Sequence, residues 1–115
     1  MTPEAIDAVC RALPGATMDV LWEVDQVYKI GGRMFAVLGP NGGVSFKVNE
    51  VAFAMLVETG AARPAPYMAR AGWVMVDDPS GFGDDDLKAY LANAHALTAA
   101  KLTRKLQREL GISTA

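Results

Sequence analysis

The chain has 115 residues, 51% apolar and 21% charged, with a formal net charge of −2. That length supports a hydrophobic core without metal or disulfide help, and the composition excludes a disordered or low-complexity chain. The slightly acidic balance excludes broad electrostatic adhesion to nucleic acid or anionic membrane, so any polyanion site must be local.

Thr2-Pro3-Glu4 predicts a helix start, with Thr2 as N-cap and Pro3 at the first helical position, where its missing N–H costs nothing. Ile6, Val9, Cys10 and Leu13 recur on one face of that helix, and Pro14-Gly15 ends it. Cys10 is the only cysteine; it is expected in the core as a buried thiol, and no intrachain disulfide is possible. Val20 to Trp22 or Val24 is read as a first strand. A β-meander follows over Val27 to Val48, with segments Val27 to Ile30, Arg33 to Leu38 and Val44 to Val48. Gly31-Gly32 and Asn41-Gly42 supply the positive φ values that its tight turns need. Alternation places Val44, Phe46 and Val48 on one face and Ser45 and Lys47 on the other.

Asn49 caps a predicted helix from Glu50 to about Glu58, closed by Gly60 and apolar on most sides through Val51, Phe53, Leu56 and Val57; it is expected to be largely buried. Arg63-Pro64-Ala65-Pro66-Tyr67 must be extended, as a surface loop or sheet edge. Trp73 to Val76 is the last strand, Asp77 to Gly81 a turn, and a long helix runs from Asp84 to about Lys101 with Leu87, Leu91 and Ala94 on its inner stripe. Leu102, Leu106 and Leu110 continue an apolar row, with a candidate break near Thr103. Phe35, Phe46, Leu56 and Leu91 are expected in one shared core. No apolar stretch approaches a membrane span and no leader-like segment is present, so the expectation is one soluble, cytoplasmic domain over residues 1–115.

The order of elements, together with LPG at Leu13 to Gly15, the Trp22 strand, VYKIGGRMFAVLG from Val27, VSFKV from Val44, RPAPYMARAGWVMVD from Arg63, DDDL from Asp84 and AAKLTRKLQREL from Ala99, resembles the MmcQ/YjbR family. The resemblance covers nearly the whole chain. It implies an α+β, CyaY-like fold, an antiparallel β-meander sheet packed against N- and C-terminal helices. It also implies wing-like hairpins and a DNA-binding role proposed for the family largely from shape, so function follows by analogy. Thr103 stands where similar chains often carry proline, and Ala94-His95 where they often carry Ser-Tyr.

Lys101, Arg104, Lys105 and Arg108 fall at i, i+3, i+4 and i+7, so a continuous helix would put four cations on one face, a surface suited to phosphates. Favourable interaction with a helix C-terminus explains the same charges without a ligand. Tyr67 and Trp73 bracket Arg70, with Arg63 upstream, a mixture able to stack bases, although Trp73 at a strand start is expected to pack inside. Lys29 and Lys47 project from the meander and Arg33 from a hairpin tip. The glycine pairs match neither the P-loop nor the dinucleotide fingerprint. Asp84, Asp85 and Asp86 are accounted for by helix capping. His95 is the sole histidine and lacks partners for a metal site, no serine sits in a nucleophile motif, and no cofactor is implied. The expectation is therefore a non-enzymatic DNA-binding protein. The alternative is a module holding a protein, peptide or small molecule at a sheet surface or cleft.

Overall fold

Gly31 and Gly32 adopt φ of 57° and 81°, the pair of left-handed conformations that closes a two-residue hairpin with the twist its strands require. Around this turn the computed structural model, which describes residues 1–21, 24–66 and 68–112, builds an antiparallel sheet. In chain order its strands are β1 (Ala16–Leu21), β2 (Asp25–Ile30), β3 (Arg33–Leu38), β4 (Val44–Lys47), β5 (Arg63–Pro64) and β6 (Trp73–Val76). They lie side by side as β1-β2-β3-β4-β6-β5. Ile30 and Arg33 face each other across the glycine turn, and Lys47 faces Trp73 across the β4–β6 pair. A register shift opposite Tyr28 and Lys29 passes over Phe35. That bulge lets neighbouring Phe35 and Ala36 both reach the core, where each is fully buried.

Among the described residues the helices are α1 (Pro3–Ala12), α2 (Glu50–Thr59), α3 (Asp84–Ala99) and α4 (Arg104–Glu109), so the fold is α+β. Thr2 caps α1 as expected, accepting from the Ala5 N–H at 3.1 Å, and Asn49 caps α2, accepting from Ala52 at 2.8 Å. α1 and α3 cover the inner face of the sheet, α3 lying across β3 and β4. Phe35, Phe46 and Leu91 are fully buried there and Leu56 nearly so. Cys10 is inaccessible; burial, then the Asp7 charge, pushes its thiol up to about 12. Tyr28 donates to Asp7 at 2.6 Å, and Asp7 is also held by Arg11 at 2.9 Å, which ties α1 to β2. His95 lies edge-on to Phe35, and its Nε2 meets the Pro14 carbonyl at 2.7 Å. It therefore joins α3 to the loop after α1, a structural position.

Three expectations change. β1 starts at Ala16, immediately after the Pro14-Gly15 turn and ahead of the expected Val20: Ala16 and Met18 pack against the core while Thr17 and Asp19 are exposed, an alternation in its own right. Trp22 lies outside the described residues. α2 is not largely buried, for only Leu56 is buried along it while Val51 is 79% and Met55 50% exposed. The helix lies against β5 and β6 at the sheet's short end, and among the described residues its Val51 and Met55 side is left uncovered. Finally, α3 stops at Ala99. Gln107 donates to the Ala99 and Leu102 carbonyls at 2.9 and 3.2 Å, satisfying acceptors that the helix end leaves open. The expected break is present, with Thr103 accepting from the Leu106 N–H as the cap of α4.

Candidate nucleic-acid interface

Strand direction decides which charges meet. Antiparallel pairing brings the C-terminal ends of β2 and β4 together with the N-terminal ends of β3 and β6, so Arg33, Lys47 and the Ala69–Ala71 3₁₀ turn carrying Arg70 gather at one end of the sheet. The far end of α3 and the corner to α4 arrive there too. A Cβ on Gly31 would sit 2.7 Å from Leu102 and 3.1 Å from Leu106, so the β2–β3 hairpin docks against that corner and is not a free wing.

Lys47 donates to the Ala71 carbonyl at 2.7 Å. Burial, followed by the nearby Lys101 ammonium, holds its pKa below the usual lysine value. Two like charges crowded together favour any anion that neutralises them. Lys47 and Arg70 also line one cavity of about 480 Å³ with Asn49, Phe53 and Leu97, and Glu50 is the carboxylate on its wall. Beyond the break, Arg104 and Arg108 share a surface depression with Ile112, and Lys105 is exposed beside them. Lys101 does not share their helix, because the chain turns at Thr103. It instead stands near Lys47, a juxtaposition that no spacing in the sequence reveals.

The remaining candidates are placed elsewhere or already engaged. Arg63 grips Asp77 through two contacts of 2.6 and 3.0 Å at the β5–β6 edge. Lys29 pairs with Asp19 at 3.1 Å. Tyr67 lies outside the described residues. Trp73 is buried as expected, but it stands apart from the main core cluster. Among the described residues Arg33, Lys47, Arg70, Lys101, Arg104, Lys105 and Arg108 form no ion pair. The opposite end of the sheet is acidic, with Asp25, Asp77 and Asp78, and Asp84 to Asp86 at the start of α3. Among the described residues no group of three or more His, Cys, Asp or Glu side chains is placed to hold a metal ion, and no helix is long and apolar enough to cross a membrane.

The family model for YjbR matches residues 11–97. The chain belongs to the YjbR family. Arg33, Lys47 and Arg70 fall inside the matched segment, whereas Lys101 and the α4 cations lie beyond it. The fold nevertheless extends that far: the crystal structure of Deinococcus radiodurans protein DR2400, a DUF419 domain, matches with a TM-score of 0.86 at 22% identity, covering 97% of this chain and 89% of that one. That similarity establishes the YjbR-like fold and carries no activity. No curated protein matches the chain.

Proposed function

We propose that this YjbR protein binds nucleic acid, DNA in the first instance, without catalysing a reaction on it, and that the basic end of the sheet meets the phosphates. The observation that carries this reading is the concentration of Arg33, Lys47, Arg70, Lys101, Arg104, Lys105 and Arg108, none ion-paired among the described residues, in a chain whose net charge is −2. Four separate pieces of backbone supply them: the β2–β3 hairpin, the end of β4, the 3₁₀ turn and the α3–α4 corner. Phosphate contacts from such a surface fix a protein on nucleic acid without reading sequence, and each neutralised phosphate releases condensed counterions.

The test is fluorescence anisotropy with labelled single- and double-stranded oligonucleotides across a salt series. Neutralisation of about four duplex phosphates gives a slope of log affinity against log salt of about −3 to −4, and Arg104→Ala or Arg108→Ala flattens it by about one unit while the domain stays folded. A single-strand preference that drops by about 1 to 3 kcal/mol in Tyr67→Ala would extend the contact to a stacking platform. Absence of binding to either form at low salt, or binding indifferent to these substitutions, refutes the proposal.

A further inference from the structure

The sheet has a second face, turned away from α1 and α3, and its chemistry is unlike that of an ordinary solvated face. An antiparallel sheet with one open side should be polar on that side. Here Leu21, Val27, Met34, Val37 and Met75 line it instead. None of them belongs to the main core cluster or packs against it.

The stretch after β5 borders this face through Ala65, Pro66 and Met68. Its backbone is pinned to β6, with Ala65 donating to Trp73 at 3.0 Å and Trp73 donating to the Met68 carbonyl at 3.3 Å. Ala65 of that stretch and Trp73 and Val27 of the sheet are buried. What is left open is a cleft of about 540 Å³, within the range of small-molecule sites. Met34, Met68 and Met75 line it, and their unbranched thioethers adapt to flat or irregular apolar shapes. Gly43 leaves room for one of them, since a Cβ there would stand 3.0 Å from the Met75 Cε.

Polar groups in the cleft are few and sit toward the acidic end of the sheet. Asp25 is the only charged residue lining the cavity among the described residues, and Ser45 supplies a hydroxyl. Of the neighbouring cations, Lys29 pairs with Asp19 and Arg63 with Asp77, Arg63 also donating to the Met75 sulfur at 3.3 Å. Among the described residues Asp25 forms no ion pair, and its side chain makes no hydrogen bond. An apolar trough ending at one unpaired carboxylate is complementary to an apolar body with one positive end.

We propose that this cleft binds a small apolar amine: a flat hydrocarbon or aromatic body between the three methionines and Val37, with its protonated nitrogen on Asp25. The cleft lies on the outer sheet face, reaching from Met34 and Met68 to Asp25 at the acidic end, and it uses none of the cations assigned to phosphates, so it stands whether or not the chain binds nucleic acid.

The probes are 1-naphthylmethylamine, the neutral 1-naphthalenemethanol and the anionic 1-naphthoate, titrated into protein carrying methyl-13C methionine. The chain has six methionines, which gives the measurement an internal control. Ring-current shifts should saturate at Met34, Met68 and Met75 and spare Met1, Met18 and Met55. The amine should bind about 10- to 100-fold more tightly than the naphthoate, as a charge-assisted contact requires. Asp25→Asn should abolish that preference while leaving the alcohol unchanged, and Val37→Phe, which fills the trough, should weaken all three probes about tenfold or more. If Asp25→Asn does not fold, the wild-type comparison of amine with naphthoate decides alone. Shifts confined to other methionines, absence of saturation, or equal affinity for amine and naphthoate overturns the proposal.

Discussion

Replacing Phe46 by alanine tests the packing scheme on which every placement above depends. Phe46 is fully buried on the inner side of β4. Its ring stacks on Tyr90 of α3 with centroids 5.9 Å apart, and Tyr90 in turn meets Phe82 edge-on at 6.0 Å. The substitution removes a whole aromatic side chain from a site walled by sheet and helix, so it should cost about 3 to 5 kcal/mol, toward the upper end because an aromatic pair is lost as well. A domain of 115 residues has about 6 to 17 kcal/mol to lose. The variant should therefore remain folded but melt about 12 to 20 °C lower, taking about 2 cal/mol/K of unfolding entropy per residue. Urea unfolding measures the loss directly, with an unchanged m-value confirming that the same surface is exposed. Val51→Ala is the control: at 79% exposure on α2 it should change stability by no more than about 0.5 kcal/mol. A loss below about 1 kcal/mol for Phe46→Ala, or a loss at Val51 as large as that at Phe46, would show that sheet and α3 do not pack as described.

Cys10, buried and with its thiol pushed up to about 12, should resist a thiol reagent near pH 8 and react promptly once the chain is unfolded in denaturant; rapid labelling of the folded protein would contradict its placement. Asp7 yields a pH prediction. Partial burial opposes its ionisation, but hydrogen bonds from Tyr28 and Arg11 prevail and hold it below the ordinary value of 3.8. The unfolded state thus takes up a proton first as pH falls, and the contribution of Asp7, complete above the ordinary value, drains away as pH passes through the lower folded one. Tyr28→Phe should accordingly lose less stability than the wild type between about pH 6 and about pH 3 in urea titrations, and an equal loss in both would remove Asp7 from the account.

The meander was legible because its signals are local. Gly31-Gly32 demands one turn geometry, and Val44, Phe46 and Val48 can share a face only in a strand. The long apolar stripe of α3 is similarly local. α2 was misjudged for a reason that the same logic exposes: an all-round apolar helix reports that its residues avoid water, not that enough protein surrounds it, and at the β5–β6 edge there is not enough. The cationic site was half legible. Spacing could group Arg104, Lys105 and Arg108, and it joined Lys101 to them only for a continuous helix, whereas the turn at Thr103 sends it toward Lys47. The apolar outer face gave even less warning, since Met34, Val37 and Met75 are ordinary strand residues until sheet order sets them side by side.

The charge arrangement at the two ends of α3 has a simpler cause that must be separated from ligand binding. A helix favours carboxylates at its first turn and cations just past its last, and Asp84 to Asp86 and Lys101 satisfy that rule without any partner. The same cause does not reach Arg33, Lys47 or Arg70, which come from a hairpin, a strand end and a 3₁₀ turn. Lys47 is instead tied to the Ala71 carbonyl, and its pKa is lowered first by burial and then by the nearby Lys101. The dipole therefore accounts for Lys101 and the acidic first turn, while the convergence of cations from unconnected elements is the part that the proposed phosphate contact would neutralise. Lys47→Met distinguishes the two causes. It leaves the ends of α3 untouched, so under the dipole account it changes nothing in nucleic-acid binding, whereas under phosphate neutralisation it flattens the salt slope by about one unit.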